Sequence, residues 1–148
     1  MMSYTKLKYH IVFSVKGRRP LLRPEFKPRL VKYIGGIVRN LHCVLDEADG
    51  PEDHIHVAAG IHPSVSVSDF VRDVKCNATS WMKEEFPDLK DFAWQEEYAA
   101  FTVSHSQLPA VERYIRGQVR HHKKMSFIDE LKLLLQRHEI EFDERYLA

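Results

Sequence analysis

Two small groups of residues in this chain have types and spacings that could do chemistry. The first is Asp53-His54-Ile55-His56. Ile55, Val57, Ala59 and Ile61 alternate with His54, His56, Ala58 and Gly60, the two-residue period of a half-buried β-strand. In a strand, residues i and i+2 point the same way, so both imidazoles share one face. Two adjacent imidazoles are half of a metal site; equally, they are two ordinary histidines on the wet side of a sheet. The second group is Tyr114 with Gln118 and His121 or His122. Residues three and four apart share a helix face, so a helix opened by Pro109 aligns them on one stripe beside the apolar line Val111, Ile115, Val119. Arg113, Arg116, Arg120, Lys123 and Lys124 surround that stripe. A phenol among cations has one sharp use, attack on a phosphodiester. Its ordinary pKa of about 10 must then be offset by nearby positive charge or a metal-polarised phosphate. The plainer roles are a ring packed between helix and sheet, and a surface glutamine.

The elements that must position these groups follow from periodicity. Residues 4–16 read as a strand, with Leu7, Tyr9, Ile11, Phe13 and Val15 on one face and Val12 an exception. Gly17-Arg18-Arg19-Pro20 breaks it, and loop arginines of this kind can grip phosphates. A helix runs from Pro24 to about Leu41, interrupted in character by Gly35-Gly36. Residues 42–48 form a short strand, and Asp49-Gly50-Pro51 turns it into the histidine strand as an antiparallel hairpin. Ser66 with Asp69 has the look of a capping box for a helix to about Phe86, whose stripe Phe70, Val71, Val74, Ala78, Trp81 and Met82 is core. Residues 92–104 are strand-like, and Pro109 and Phe127 open two further helices. The order β-α-β-β-α-β predicts an α+β fold, a ferredoxin-like split βαβ antiparallel sheet with extra C-terminal helices, one of them carrying Tyr114. Whether the histidine face or the apolar face of its strand meets the helices is open from pattern alone.

Composition bounds the rest. The length of 148 residues predicts one domain with room for a core. No run reaches membrane-span length and no apolar signal region opens the chain, so a cytoplasmic protein without a membrane partner is expected. Cys43 and Cys76 form no close pair, which points to a reducing compartment rather than a zinc ribbon. The net charge of +1 conceals segregation. Residues 1–45 hold ten Lys/Arg and one acid, residues 46–112 four basic and fourteen acidic side chains, and residues 113–124 five basic and none acidic. Two basic segments that meet in space would suit a polyanion; otherwise the acidic middle neutralises them.

Taken together, these pieces resemble a known family, the small single-tyrosine HUH (His-hydrophobic-His) transposases that move insertion sequences as single-stranded DNA. The resemblance spans nearly the whole chain. It rests on Tyr9-His10-Ile11-Val12-Phe13-Ser14, Arg18-Arg19-Pro20, Asp53-His54-Ile55-His56, residues 63–72, Ala100-Phe101-Thr102-Val103-Ser104, Tyr114-Ile115-Arg116-Gly117-Gln118, His121-His122 and Phe127. The resemblance implies that His54 and His56 bind a divalent metal, Mg²⁺ or Mn²⁺, with Gln118 as third ligand through its side-chain oxygen. It implies Tyr114 as the nucleophile, a 5′-phosphotyrosine intermediate with a free 3′-OH, single-stranded DNA with hairpin ends as partner, and a homodimer. Lys6, Lys8, Arg18, Arg19, Arg113, Arg116, Arg120 and Lys123 are the expected phosphate contacts. The chain departs from its relatives at Cys76 after Lys75 and at Glu97 before Tyr98, where they often carry glycine; target preference is the property this touches. The alternative within the same scaffold is a domesticated, repeat-associated relative that binds hairpin DNA without mobilising it. A water-using phosphoesterase would need a base near the histidines, for which Asp53 or Glu97 would have to serve.

Overall fold

The computed structural model describes residues 3–147. Four strands, β1 (Lys8–Ser14), β2 (Val44–Asp49), β3 (His54–Gly60) and β4 (Ala99–Val103), form one sheet in the order β2-β3-β1-β4. Every neighbouring pair is antiparallel. Helices α1 (Lys27–Asn40) and α2 (Val67–Glu85) follow β1 and β3, and α3 (Leu108–Arg116), α4 (Gln118–His121) and α5 (Phe127–Arg137) follow β4. This is the α+β, ferredoxin-like arrangement expected, with the histidine strand in the interior of the sheet.

The apolar periodicity decides which helices cover which face. Ile11, Phe13, Val15, Ile55, Val57 and Ala59 project to one side and join Leu30, Ile34 and Val38 of α1 with Phe70, Val71, Val74, Ala78 and Met82 of α2 in one core. Val12, the exception to the β1 pattern, belongs to the opposite face. There it meets Phe101, Phe127, Leu134 and Leu135, while Ala58 of β3 meets Leu108 and Ile115 of α3. The histidine face is therefore covered too, and β3 is buried on both sides rather than half-buried.

Local chemistry sets the boundaries. The Ser66 Oγ accepts from the Asp69 N–H at 3.1 Å, and the Ser126 Oγ from that of Asp129 at 3.2 Å, so each serine caps its helix. At Gly50 a Cβ would lie 2.2 Å from the His54 carbonyl oxygen, so only glycine fits the β2–β3 turn. Three boundaries differ from the sequence expectation. The helix after β1 starts at Lys27, with Pro28 rather than Pro24 in its first turn, because residues 23–26 form a turn of their own. The fourth strand is shorter than 92–104: the Lys75 ammonium takes the carbonyls of Gln95, Glu96 and Glu97 at 2.7–3.1 Å, leaving them unavailable to a ladder. The helix opened by Pro109 is broken at Gly117, and Val119 beyond the break is exposed instead of continuing the apolar line. Among the described residues, no helix is long and apolar enough to cross a membrane.

Candidate active site

β3 delivers His54 and His56 to the covered polar face, both with no solvent exposure. Each ring is held by its Nδ1. The His54 Nδ1 lies 2.7 Å from an Asp53 carboxylate oxygen, which accepts its proton. The His56 Nδ1 lies 2.8 Å from the Nε2 of His10 on β1. His10 pairs with Ala58 in the β1–β3 register and shares a face with Val12 and Ser14, which sit opposite His56 and His54. Burial, and then the neighbouring His56, lower the His10 pKa from 6.5 to about 3. A neutral His10 can accept the His56 Nδ1–H, which leaves the His56 Nε2 with a free lone pair. Both Nε2 atoms are thereby turned to one point, the arrangement by which outer partners fix the tautomer of metal-binding histidines.

The tyrosine helix packs over the same face, with its ring 5.7 Å from that of His56 between centroids. Tyr114 and Gln118 are brought to the two histidines within one chain. Gln118 is fully buried; its Nε2 donates at 2.9 Å to Glu130, while its Oε1 is buried without a hydrogen-bond partner. A buried amide oxygen without a donor is unusual in a folded protein, and a cation would satisfy it.

At the centre lies a residue that reading the sequence missed. Glu130 on α5 is 1 % exposed. Its Oε1 is 2.8 Å from the His122 Nε2, 3.0 Å from that of His56 and 3.2 Å from that of His54. Its Oε2 accepts from the Tyr114 hydroxyl and from Gln118. Burial pushes the Glu130 carboxyl up, but the surrounding imidazoles of His122, His54 and His56 outweigh it and hold the group far below the usual carboxylate range. Burial and then this carboxylate push the Tyr114 phenol up. Burial lowers His56 on balance, whereas for His54 the bonds to Asp53 and Glu130 overcome burial and raise it. One ligand atom from each of His54, His56, His122 and Glu130 falls within 4.8 Å of all the others. Three imidazole nitrogens and a carboxylate oxygen are a donor set for a divalent cation, so the residues present fit the metal that the resemblance implies. The only sequence signal for Glu130 was its place on the inner stripe of α5, where it sits three residues from Phe127 and four from Leu134.

The expected phosphate contacts divide. Lys8 is bound to Asp46 at 2.9 Å and Arg116 to Glu47 at 2.9 Å, so the acidic middle neutralises these two. Lys6, Arg19, Arg113, Arg120 and Lys123 are exposed. Arg18 lines a cleft of about 360 Å³ together with Asp53 and His122, beside the histidine cluster.

Comparison with known proteins agrees with this geometry. Residues 3–118 match the family model described as IS200-like transposase. The transposases for insertion sequence element IS200 of Salmonella typhimurium and Salmonella typhi are each 32% identical over 126 residues, covering 78% of this chain and 79% of theirs. The ISDra2 transposase TnpA of Deinococcus radiodurans is 25% identical over 118 residues, covering 76% of this chain and 84% of its own. A crystal structure of a candidate transposase from Deinococcus radiodurans superposes with a TM-score of 0.66 at 26% identity, covering 80% of this chain and 95% of that one. A REP-associated tyrosine transposase bound to a REP hairpin shares the fold, with a TM-score of 0.61 at 17% identity over 82% of this chain and 72% of that one. His122 and Glu130 lie beyond the segment matched by the family model.

Proposed function

The chain belongs to the IS200-like transposase family and is a metal-dependent transposase that cleaves single-stranded DNA; on that premise we propose that Tyr114 is its nucleophile and that His54, His56 and Gln118 hold the ion, Mg²⁺ or Mn²⁺. The observation that carries this reading is the convergence of the Tyr114 hydroxyl, Gln118 and both histidine Nε2 atoms around the one buried carboxylate of Glu130. When bound, the divalent ion polarises the scissile phosphate as a Lewis acid and offsets the charge that builds there. The Tyr114 oxygen attacks phosphorus. The P–O3′ bond breaks, the 3′-oxygen leaves as a hydroxyl, and a 5′-phosphotyrosine remains. The reverse attack by a 3′-OH rejoins strands without another energy source, because the phosphodiester is conserved in the covalent link. The phenol donates a hydrogen bond to Glu130, which holds its oxygen at the site; the proton it gives up on attack is balanced by the one the leaving 3′-oxygen takes up, and the raised pKa means that attack depends on positive charge arriving at the site.

The DNA enters as a single strand with hairpin ends. Arg18 at the cleft and the exposed Lys6, Arg19, Arg113, Arg120 and Lys123 contact phosphates, with Lys8 and Arg116 joining them only if Asp46 and Glu47 release them. Residues 1–148 act as a single HUH transposase domain in the cytoplasm, as a homodimer joined through an open sheet edge; β2 and β4 are the two edges. Light scattering at micromolar concentration tests the dimer, and a monomer there refutes it.

The decisive experiment mixes the protein with Mn²⁺ or Mg²⁺ and end-labelled single-stranded DNA bearing the hairpins that flank its gene. A denaturation-resistant adduct mapped to Tyr114 by mass spectrometry is the expected result. Tight hairpin binding without an adduct in either metal would instead identify a non-cleaving, repeat-associated relative.

A further inference from the structure

Glu130 asks for a cation that the chain itself does not provide. It is a carboxylate at 1 % exposure, and among the described residues no lysine or arginine lies within ion-pair distance of it. Its neighbours are imidazoles, a phenol and an amide. An ionised carboxylate in such a place is costly unless it is paired or bound to a metal. The Nδ1 atoms of His54 and His56 are engaged by Asp53 and His10, so their Nε2 atoms face the carboxylate as bare acceptors. A divalent ion compensates the carboxylate while leaving the rings neutral.

The spacing fits that ion. Donors with bonds of about 2.1 Å to a common ion sit about 3.0–3.4 Å apart when adjacent. The Glu130 Oε1 is 2.8, 3.0 and 3.2 Å from the three Nε2 atoms, and all four donors fall within 4.8 Å of one another. The backbone supports this placement: Ser126 caps α5, and Phe127 at its start packs against the His54 ring at 4.4 Å between centroids. The side chain of His122 is almost fully covered and directed inward, unlike the exposed Lys123 and Lys124 that follow it.

We infer that His122 and Glu130 are metal ligands alongside His54, His56 and Gln118, so that three imidazoles and one carboxylate join the amide oxygen around the ion, and that the other oxygen of Glu130 tethers the Tyr114 hydroxyl beside it. This deepens the reading of the site proposed above and rests on it. It also names a preference. Three nitrogen donors suit Mn²⁺ and later transition metals over Mg²⁺, which favours an all-oxygen shell. The two added ligands come from beyond the segment matched by the family model, so the C-terminal helix of this chain is part of its metal centre.

The test is metal binding on the full chain without DNA. Isothermal titration is expected to give Mn²⁺ an affinity at least about tenfold above that of Mg²⁺, and Glu130→Gln and His122→Asn are each expected to lower Mn²⁺ affinity by at least about tenfold. Electron spin-echo modulation on the Mn²⁺ protein should count three coordinated imidazoles in the wild type and two in His122→Asn. Glu130→Gln preserves shape, and circular dichroism of each variant checks folding. Two imidazoles in both proteins, or Mn²⁺ affinities within twofold of wild type for both variants, would overturn the inference. A Tyr114 adduct formed alongside a two-imidazole spectrum would sink this inference and spare the transposase reading. A three-imidazole spectrum without any adduct would do the reverse.

Discussion

On one side of the sheet, Ile11, Phe13, Ile55 and Val57 meet the apolar stripes of α1 and α2. On the other side, His10, His54 and His56, projecting from the same two strands, meet Tyr114, His122 and Glu130, with Gln118 bound to the same carboxylate. Both faces are closed to solvent, but for different reasons. The first gains from removing apolar surface from water, a non-directional term that tolerates small shifts. The second buries polar groups whose cost is recovered only if each finds a partner at the right distance and angle. The two strands thus give one side to apolar packing alone and share the other between the clusters around Val12 and Ala58 and the chemistry, where the Gln118 oxygen stands unpartnered.

Substitutions separate the two sides. Tyr114→Phe should abolish the covalent DNA adduct to below detection on denaturing gels while the protein still folds; a normal adduct yield would remove Tyr114 from the chemistry. Phe70→Ala, on the apolar side, should cost about 3–5 kcal/mol in urea unfolding, with the DNA adduct still formed by the fraction that remains folded. His10→Gln should lower Mn²⁺ affinity by about 10–100-fold in titration calorimetry, because the His56 ring loses the partner that sets its tautomer.

The polar side should also make stability fall in acid. His10 has its pKa lowered in the folded state from 6.5 to about 3, so between those values the unfolded chain binds a proton that the folded one refuses. Stability should therefore drop as pH falls below 6.5, by up to about 1.4 kcal/mol per pH unit. Urea unfolding from pH 7 to pH 5 should show a shallower loss in His10→Gln than in the wild type; parallel curves would mean that His10 is not the source. The smallest effect belongs to the apolar side: Ser66→Ala removes the α2 cap and should cost about 1 kcal/mol with metal binding unchanged.

How much of this could be read from the chain depended on how local each signal was. The alternation around His54 and His56 gave the strand, the shared face of the two rings and the apolar side, because a period of two is written into consecutive residues. Tyr114 and Gln118 were legible as a pair for the same reason, although Gly117 breaks the helix between them. The break did not separate the pair in space, since the chain continues with backbone bonds across it, from the Gly117 N–H to the Arg113 carbonyl and from the His121 N–H to that of Gly117. His10 was visible only as part of a resemblance, its contact with His56 spanning 46 residues. Glu130 was invisible: it is a carboxylate on an amphipathic helix, and such residues are ordinarily solvated.

Sequence by itself determined the element order, the faces of the strands, the Ser66 cap of α2 and the two chemical motifs, all of which follow from residue types at short separations. Tertiary structure decided which helices close the histidine face, that Asp46 and Glu47 engage Lys8 and Arg116, and that Glu130 stands between the histidines and the tyrosine. These are contacts between segments 12 to 76 residues apart. Chain folding brings such groups together, and no local periodicity records which of the many carboxylates and cations end up face to face.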